Sequence, residues 1–452
     1  MSRAAGLGPE EALAAARAAL QKAGVGAWEL YLSREETLVI EIKEQAVESL
    51  QAAIHSGLAA RLIESGRMGF SYTSDLSPPA VAEMVDRARA SAKEVSEDPL
   101  FSVAGDDPAP LPELDIFDSE RKQRPESAKI ERAKALEAAA LAFDPRVKKV
   151  RKAEYQEVES EIFLWTSAGL VRRGRSTLYT GSLGALAEQD GDSQMAWELD
   201  FARSYDKLDA AVIGRLAAEQ AVGLLGAKPI SSRRCPMVLL PEPAADLLGV
   251  LAEAASAEAV AKQKSWLADQ IGRAVLARTV SVVDDGLLAS APGAFPFDGE
   301  GERCRRTLVV EEGTLRSFLY DRYHGRKLGA VSTGNSQRDS FTQPPAVGAN
   351  GFHIPPGRAS KADLLGRLSR GALVEQLMGV HLADEVTGEF SVGCTGHLVE
   401  AGRLGAPFTG VVLSGQLGQL FSRVEEVGSD LRFFGGVGSP SLLVGEVALS
   451  GR

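Results

Sequence analysis

The sequence is poor in the residue types that metal centres need. Its 452 residues include only five histidines, which stand singly at His55, His324, His353, His381 and His397. A zinc site draws its ligands from clustered histidine, cysteine and carboxylate side chains, often within one short motif. Neither H-E-x-x-H nor H-E-x-x-x-H occurs. The common helical zinc motifs are therefore excluded for this chain.

Two other catalytic motifs are also absent. No serine stands in the frame G-x-S-x-G, which places a hydrolase nucleophile on a sharp turn above a sheet. No Gly-Lys pair occurs either, and a phosphate-binding P-loop requires one. The sequence thus excludes a serine hydrolase with that elbow and ATP hydrolysis of the P-loop type.

Cysteine is scarce, and charge of positive sign is in the minority. Cys235, Cys304 and Cys394 are odd in number and far apart, which predicts reduced thiols and a cytoplasmic protein. The formal net charge of -11 disfavours nucleic acid as a partner, because phosphates repel an acidic surface. With 44% hydrophobic and 25% charged residues, the composition is that of a folded globular protein.

Long apolar runs are missing as well. Glu10, Glu11 and Arg17 interrupt the apolar pattern of the N-terminal segment, so we expect a surface helix there and no secretory signal. The stretch Leu404 to Ser422 carries no charge, but its proline and glycines predict a strand, a turn and the start of a helix. We expect no membrane span.

The periodicities predict an α+β protein with three units. Residues 1–115 alternate as antiparallel strands flanked by helices, which predicts an N-terminal α/β domain with an antiparallel sheet. A proline-rich acidic linker ends it, and residues 116–228 repeat helix, strands and helix as a middle α+β domain. Residues 229–452 are rich in glycine and short apolar runs, typical of a β-rich C-terminal domain.

Two weak constellations contain histidine. Cys394-x-x-His397 has the spacing of half a zinc site or of a Cys-His nucleophile pair, but no second half-site is visible and a bend in a glycine-containing strand is favoured. His381 precedes Asp384 and Glu385 and has the sequence of a general base held by a carboxylate. A solvated helix end is the favoured interpretation there.

Charged runs give two further hypotheses. The basic runs at 148–152 and 172–175 flank a predicted hairpin and would suit an acidic partner, although exposed strand edges protected by charge are favoured. In the segment PFDGEG, residues 296–301, Asp298 and Glu300 lie two apart in a glycine-rich turn.

Several segments together resemble the TldD/PmbA peptidase family, from about Trp28 to the C-terminus. They are PFDGEG (296–301), RKLGAVSTGNS (326–336), LVEQLMG (373–379), FSVGCTGHLVEAG (390–402) and VGSDLRF (427–433). The resemblance implies an N-terminal α/β domain, a β-rich C-terminal domain, and dimers enclosing a cavity that admits unstructured peptide. In TldD-type members it implies zinc held by H-E-x-x-x-H after a short apolar strand and by a cysteine near the C-terminus.

The equivalent positions here lack those ligands. In the segment MVLLPEPAADLLGVL, Pro241, Glu242 and Asp246 fall on the His, Glu and His positions of the motif, and residues 433–443 contain no cysteine. Pro241 has no metal-binding side chain, and a catalytic zinc site usually has three protein ligands. We therefore expect no metal or cofactor in this chain, and Glu242 is interpreted as a carboxylate at a helix start, favoured by the helix dipole.

The resemblance implies a PmbA/TldE-like subunit that pairs with a TldD-like metallopeptidase, which supplies zinc, and holds an unstructured peptide. The alternative is a stand-alone homodimer that binds peptide or nucleic acid without peptidase activity. An independent enzyme using Cys394, His397 or His381 is the least favoured hypothesis.

Overall fold

One long antiparallel sheet forms the N-terminal half of the protein in a computed structural model that describes residues 7–451. Its helices and strands are α1 (Pro9–Lys22), β1 (Ala27–Lys43), β2 (Ala46–Glu64), β3 (Arg67–Thr73), α2 (Pro78–Ala92), α3 (Glu126–Phe143), β4 (Val147–Thr166), β5 (Val171–Gln189), β6 (Asp192–Ala202) and α4 (Ala210–Gly223). The six strands are ordered β3-β2-β1-β4-β5-β6. β1 thus pairs with β4 across residue 115, and the predicted division there stays a prediction. Residues 1–6 and 452, in the first and last predicted domains, lie outside the described residues.

Both helix pairs of this half cover the same face of the sheet. Leu30 and Leu32 of β1 belong to the hydrophobic cluster formed with α1 and α2. Leu38, Ile40 and Ile42 of the same strand belong to the cluster formed with α3 and α4. Side chains alternate between faces along a strand, so these even-numbered positions share one face. The opposite face is left to contact the C-terminal half.

The C-terminal half contains short helices and many short strands. They are β7 (Arg233–Leu239), α5 (Pro241–Ala254), α6 (Ala257–Ala261), β8 (Val282–Asp285), β9 (Arg306–Glu311), β10 (Thr314–Leu315), α7 (Arg322–Lys327), β11 (Ser336–Gln337), β12 (Ala346–Val347), β13 (Phe352–His353), α8 (Lys361–Gly366), β14 (Arg370–Met378), β15 (Glu389–Glu400), β16 (Arg403–Gln416), α9 (Leu417–Phe421), β17 (Val424–Val427), β18 (Arg432–Phe434), β19 (Val437–Ser439) and β20 (Leu442–Ser450).

Twelve of these strands form two six-stranded sheets around a central helix, and β11 and β12 form a separate two-stranded sheet. One sheet has the order β10-β9-β8-β13-β19-β18, and the other has the order β16-β15-β14-β7-β20-β17 with an extra pairing of β16 to β20 that makes it barrel-like. Helix α5 contacts strands of both sheets and contributes Leu247, Leu248 and Leu251 to the main core. The predicted α+β fold, with an antiparallel N-terminal sheet and a β-rich C-terminal domain, is confirmed.

A buried charge cluster joins the two halves. Arg61 Nη2 lies 2.7 Å from Glu29 Oε2 and 2.9 Å from Glu300 Oε1, and Arg338 also pairs with Glu29. Glu29 and Arg61 belong to the N-terminal sheet, whereas Glu300 belongs to the PFDGEG turn. Its neighbour Asp298 accepts backbone N–H groups of Glu300, Glu302 and Ser336. The two carboxylates of that turn therefore anchor the turn and the junction.

The basic runs lie on parts of β4 and β5 that are paired on one side only, in agreement with the interpretation of strand edges protected by charge. β4 pairs with β1 only from Ala153 onwards, and β5 pairs with β6 only from Tyr179 onwards, so residues 148–152 and 172–175 each have one open side. Four of their seven cations pair with carboxylates: Lys152 with Glu41, Arg172 with Asp107, Arg173 with Glu161 and Arg175 with Glu159. Cross-strand pairs of opposite charge stabilise a sheet.

The uncharged stretch from Leu404 to Ser422 forms most of β16 followed by α9, so the predicted strand and helix start are confirmed. None of the helices within residues 7–451 is long and apolar enough to cross a membrane.

Candidate functional site

The site begins where β7 passes into α5. β7 lies between β14 and β20, and its residues Val238 and Leu239 are fully buried. Pro241 occupies the start of α5, a position where proline is tolerated because the first helical N–H groups have no intrahelical acceptor. The strand and the buried helix thus hold residues 241, 242 and 246 in fixed positions.

Two carboxylates lie one turn apart at this helix start. Glu242 and Asp246 are partly buried, and within residues 7–451 neither side chain forms a hydrogen bond or an ion pair. Burial raises the pKa of Glu242 to about 7, with Asp246 and Glu198 adding to the effect and Arg432 opposing it. Burial likewise raises the pKa of Asp246 to about 6. Both carboxyls therefore give up their protons at higher pH than exposed carboxyls do.

Glu242 lies in the first turn of α5, as the interpretation of a carboxylate at a helix start expects. It does not cap the helix by a hydrogen bond, because the N-cap residue is Leu240 and no side chain of residues 7–451 caps this end. A favourable helix dipole lowers a carboxyl pKa. Since the pKa of Glu242 is raised, the loss of hydration outweighs the dipole here.

The residues at this helix start do not fit zinc. Pro241 offers no ligand atom, and Glu242 and Asp246 alone fall short of the three protein ligands of a catalytic zinc. Across residues 7–451, no three His, Cys, Asp or Glu side chains group so that they could hold a metal ion. The absence of zinc from the purified chain stays a prediction.

A cavity of about 620 Å³ lies near the carboxylates, at the junction of the two halves. It extends between β6, α4, the loop at 289–290 and residues 431–433. Its lining combines an apolar wall with charged groups: Asp115, Glu198, Asp200, Phe201, Ala202, Arg203, Lys207, Val212, Ile213, Leu216, Ala289, Ser290, Leu431, Arg432 and Phe433. Glu198 and Arg432 also act electrostatically on Glu242, which connects the cavity to the helix start.

Two arginines fix the cavity walls. Arg203 donates to the carbonyl oxygens of Ala291 and Pro292, both at 2.8 Å, and so holds the 289–294 loop. Arg432 Nη2 lies 2.6 Å from Glu198 Oε1 and 3.0 Å from the carbonyl oxygen of Leu199. One arginine from each half of the protein thus holds the walls of the cavity in place by hydrogen bonds.

Cys394 and His397 have separate environments. Cys394 is fully buried in the main core, and burial raises the pKa of its thiol to about 12. His397 instead contacts Glu375 and the carbonyl oxygen of Gly223, at the end of α4. The pair is not a nucleophile and its base. His381 is exposed in a single 3₁₀ turn, Val380–Leu382.

Sequence reasoning missed the cavity residues Glu198, Arg203 and Arg432. They come together from segments more than 200 residues apart, as the Arg432 contact to Glu198 illustrates. One signal was present in the sequence: β6 alternates Met195, Trp197 and Leu199 with the small buried residues Ala196 and Ala202. A strand with apolar residues on both faces indicates that neither face is simply solvated.

Comparison with known proteins identifies the family. Models of the PmbA/TldA metallopeptidase domain 1, central domain and C-terminal domain match residues 28–92, 121–225 and 232–451. The chain belongs to the PmbA/TldD family. It is 26% identical over 427 residues to the metalloprotease PmbA of Escherichia coli O157:H7, covering 94% of this chain and 92% of that protein. It is 23% identical to a metalloprotease TldD homolog of Haemophilus influenzae, covering 93% and 91%.

Solved structures of the PmbA/TldD type share the whole fold. The crystal structure of TldE from Thermococcus kodakarensis matches with a TM-score of 0.88 at 21% identity, over 96% of this chain and 100% of that one. A Thermotoga maritima protein proposed to modulate a DNA gyrase matches with a TM-score of 0.89 at 23% identity, over 98% and 100%. At these identities the likeness establishes the architecture alone.

Proposed function

We propose that this chain is a PmbA/TldE-like subunit of a cytoplasmic metalloprotease complex that acts on unstructured peptides. A TldD-like partner supplies the zinc, and this chain supplies binding surface. The observation that carries the proposal is the start of α5, where Pro241 and Asp246 stand in place of the two histidines of H-E-x-x-x-H. Peptide hydrolysis at zinc needs a metal-bound water and a polarised carbonyl, which these side chains cannot provide.

A binding role is consistent with what the protein retains. Peptide-binding proteins commonly add an extended segment to a free sheet edge and receive its side chains in pockets. The edge strand β3 is occupied by α2, whose Ser91 bonds both backbone groups of Phe70, but the other edge strand, β6, has a cavity beside it. Orientation of a substrate accounts for a large part of the rate of an enzyme reaction. A subunit without zinc can therefore still increase the rate in a complex.

The alternative is a stand-alone homodimer that binds peptide. The cavity would serve it equally well, so only assembly separates the two hypotheses. The nucleic-acid version is disfavoured, because phosphates repel an acidic surface and the net charge is -11. In addition, Arg173 and Arg175 of the second basic run pair with glutamates.

Affinity capture from native extract of the source organism separates the two hypotheses. The partner proposal expects a TldD-like chain with an intact H-E-x-x-x-H motif in near-equal amount. Recovery of this chain alone, as a dimer, would contradict the proposal and favour the homodimer.

A further inference from the structure

Along the outer edge of β6, the backbone groups near Leu199 and Phe201 are hydrogen-bonded to side chains, whereas those at Met195 and Trp197 are not. β6 pairs only with β5, and the backbone groups of Leu199 point away from that pairing. The Leu199 and Phe201 N–H groups donate to the carboxylates of Glu198 and Asp200, and Arg432 donates to the Leu199 carbonyl. Groups two residues apart point the same way. Met195 and Trp197 therefore present N–H and C=O groups outward, and no group within residues 7–451 binds them.

Exposed apolar side chains follow this edge towards the cavity. Met195, Trp197 and Leu199 are 42%, 41% and 37% exposed, and all three project from the face opposite the helices. Phe201 comes next on the same face and lines the cavity. Side chains on one face of a strand repeat every ~6.8 Å. A second extended chain beside β6 would place its own side chains at the same spacing, with one of them over the cavity.

The chemistry of the cavity selects the kind of side chain. Its wall contains Phe201, Leu216, Leu431 and Phe433. The Arg203 guanidinium already donates to five carbonyl oxygens, and Arg432 Nη2 is held by Glu198 and the Leu199 carbonyl. Such a wall suits a large apolar side chain. At the rim, Asp115 pairs with Lys207 at 3.9 Å, whereas the nearby Asp200 is exposed and forms no ion pair within residues 7–451. The rim therefore favours a basic residue beside the apolar one.

We propose that β6 and this cavity form a peptide subsite. An extended peptide adds to β6 at Met195 and Trp197 and inserts a large apolar side chain into the cavity, with a basic neighbour facing Asp200. This subsite rests on the proposed function, because it names the class of peptide that the subunit selects.

A pair of labelled peptides tests the subsite on the full chain. Both are unstructured and carry one lysine, and they differ only in phenylalanine or alanine next to it. Fluorescence anisotropy gives the affinity of each for the chain alone. We expect the phenylalanine peptide to bind roughly 10- to 100-fold more tightly, as burial of one large apolar side chain implies.

Two variants and a control locate the effect. Ser290→Trp fills the mouth of the cavity and should reduce the phenylalanine preference to about 1-fold, whereas Ser96→Trp, on an exposed residue outside the cavity lining, should leave it unchanged. Met195→Pro removes an outward N–H without breaking the pairing to β5, and should weaken the binding of both peptides equally.

A preference for the phenylalanine peptide that survives Ser290→Trp would overturn the subsite. The subsite would also be overturned if Met195→Pro changed the oligomeric state of the protein but left peptide binding unchanged.

Cleavage of the same two peptides by the assembled complex separates failure of the subsite from failure of the proposed function. Equal cleavage of both peptides, dependent on the partner, would leave the function standing and overturn the subsite. A phenylalanine preference in binding, with no cleavage after a TldD-like partner is added, would support the subsite and contradict the peptidase role.

Discussion

His397 and Glu375 form an ion pair, with Nδ1 of the imidazole 3.0 Å from Oε2 of the carboxylate. The other ring nitrogen, Nε2, lies 2.9 Å from the carbonyl oxygen of Gly223. A carbonyl oxygen only accepts, so Nε2 carries a proton, and an ionised Glu375 requires a second proton on Nδ1. The ring is then a cation at the C-terminal end of α4, where the helix dipole favours positive charge.

This pair should make stability depend on pH. Burial lowers the pKa of His397, but the hydrogen bond and charge of Glu375 outweigh it and raise the pKa above 6.5. A raised pKa in the folded state means that the stabilisation is complete below the unfolded pKa and is lost as pH rises through the folded one. We expect His397→Gln to cost about 1.5–3 kcal/mol in slightly acidic solution and less as pH rises.

The measurement is urea unfolding of wild type and His397→Gln from about pH 5.5 to about pH 9, taking the difference at each pH. Glu375→Gln should give the same trend, because it removes the partner that raises the pKa. If the difference in free energy of unfolding between wild type and His397→Gln did not vary with pH, the result would contradict the ion pair.

Cys394 should be chemically inert. It is fully buried, and burial raises its thiol pKa to about 12, so almost no thiolate forms at neutral pH. We expect no reaction of Cys394 with a thiol reagent in the native protein and full reaction after unfolding. Cys394→Ser should leave any peptidase activity of the assembled complex close to wild type. A loss of more than about 100-fold would assign it a catalytic role.

The Arg61 cluster should be the main electrostatic link between the two halves. Arg61→Met leaves Glu29 and Glu300 buried without this partner, which should lower the free energy of unfolding by about 3–5 kcal/mol. Arg67→Met is the matched control, because its pair with Glu97 is exposed and should be worth about 0–1 kcal/mol. Denaturant unfolding measures both. Equal losses in the free energy of unfolding for the two variants would show that the buried Arg61 cluster stabilises the protein no more than an exposed ion pair does.

The local pattern of the sequence predicted much of the fold. Alternation predicted the strands from Trp28 to Ile42 and from Val147 to Glu188, and the Ser167-Ala168-Gly169 turn fell between β4 and β5. The pairing of β1 with β4 was not predicted, because hydrogen bonds between distant strands leave no local signal.

The surroundings of the candidate site could not be predicted from the sequence. The family resemblance gave Pro241, Glu242 and Asp246 as motif positions, and that assignment stays a prediction. The raised pKa of Glu242 depends on Glu198 and Arg432, which reach it only through the tertiary fold. The sequence analysis favoured a simple strand bend at His397, because its contact with Gly223 joins residues 174 positions apart and leaves no local signal in the sequence.

The purified chain should hold no stoichiometric zinc. Three ligands are the usual minimum for a catalytic site, and the motif positions offer two carboxylates at most. Elemental analysis of protein produced with ample zinc tests this directly. One tightly bound zinc per chain would contradict the prediction and require a site formed by other residues.

Cleavage of an unstructured peptide tests the central claim most directly, measured for this chain alone, a TldD-like partner alone, and their mixture, each with and without a chelator. We predict activity that needs the partner, disappears with the chelator, and is nearly unchanged by Glu242→Gln in this chain, whereas the corresponding change in the partner's intact motif abolishes it. Chelator-insensitive cleavage by this chain alone would contradict the account, because the chain would then contain a metal-independent active site of its own.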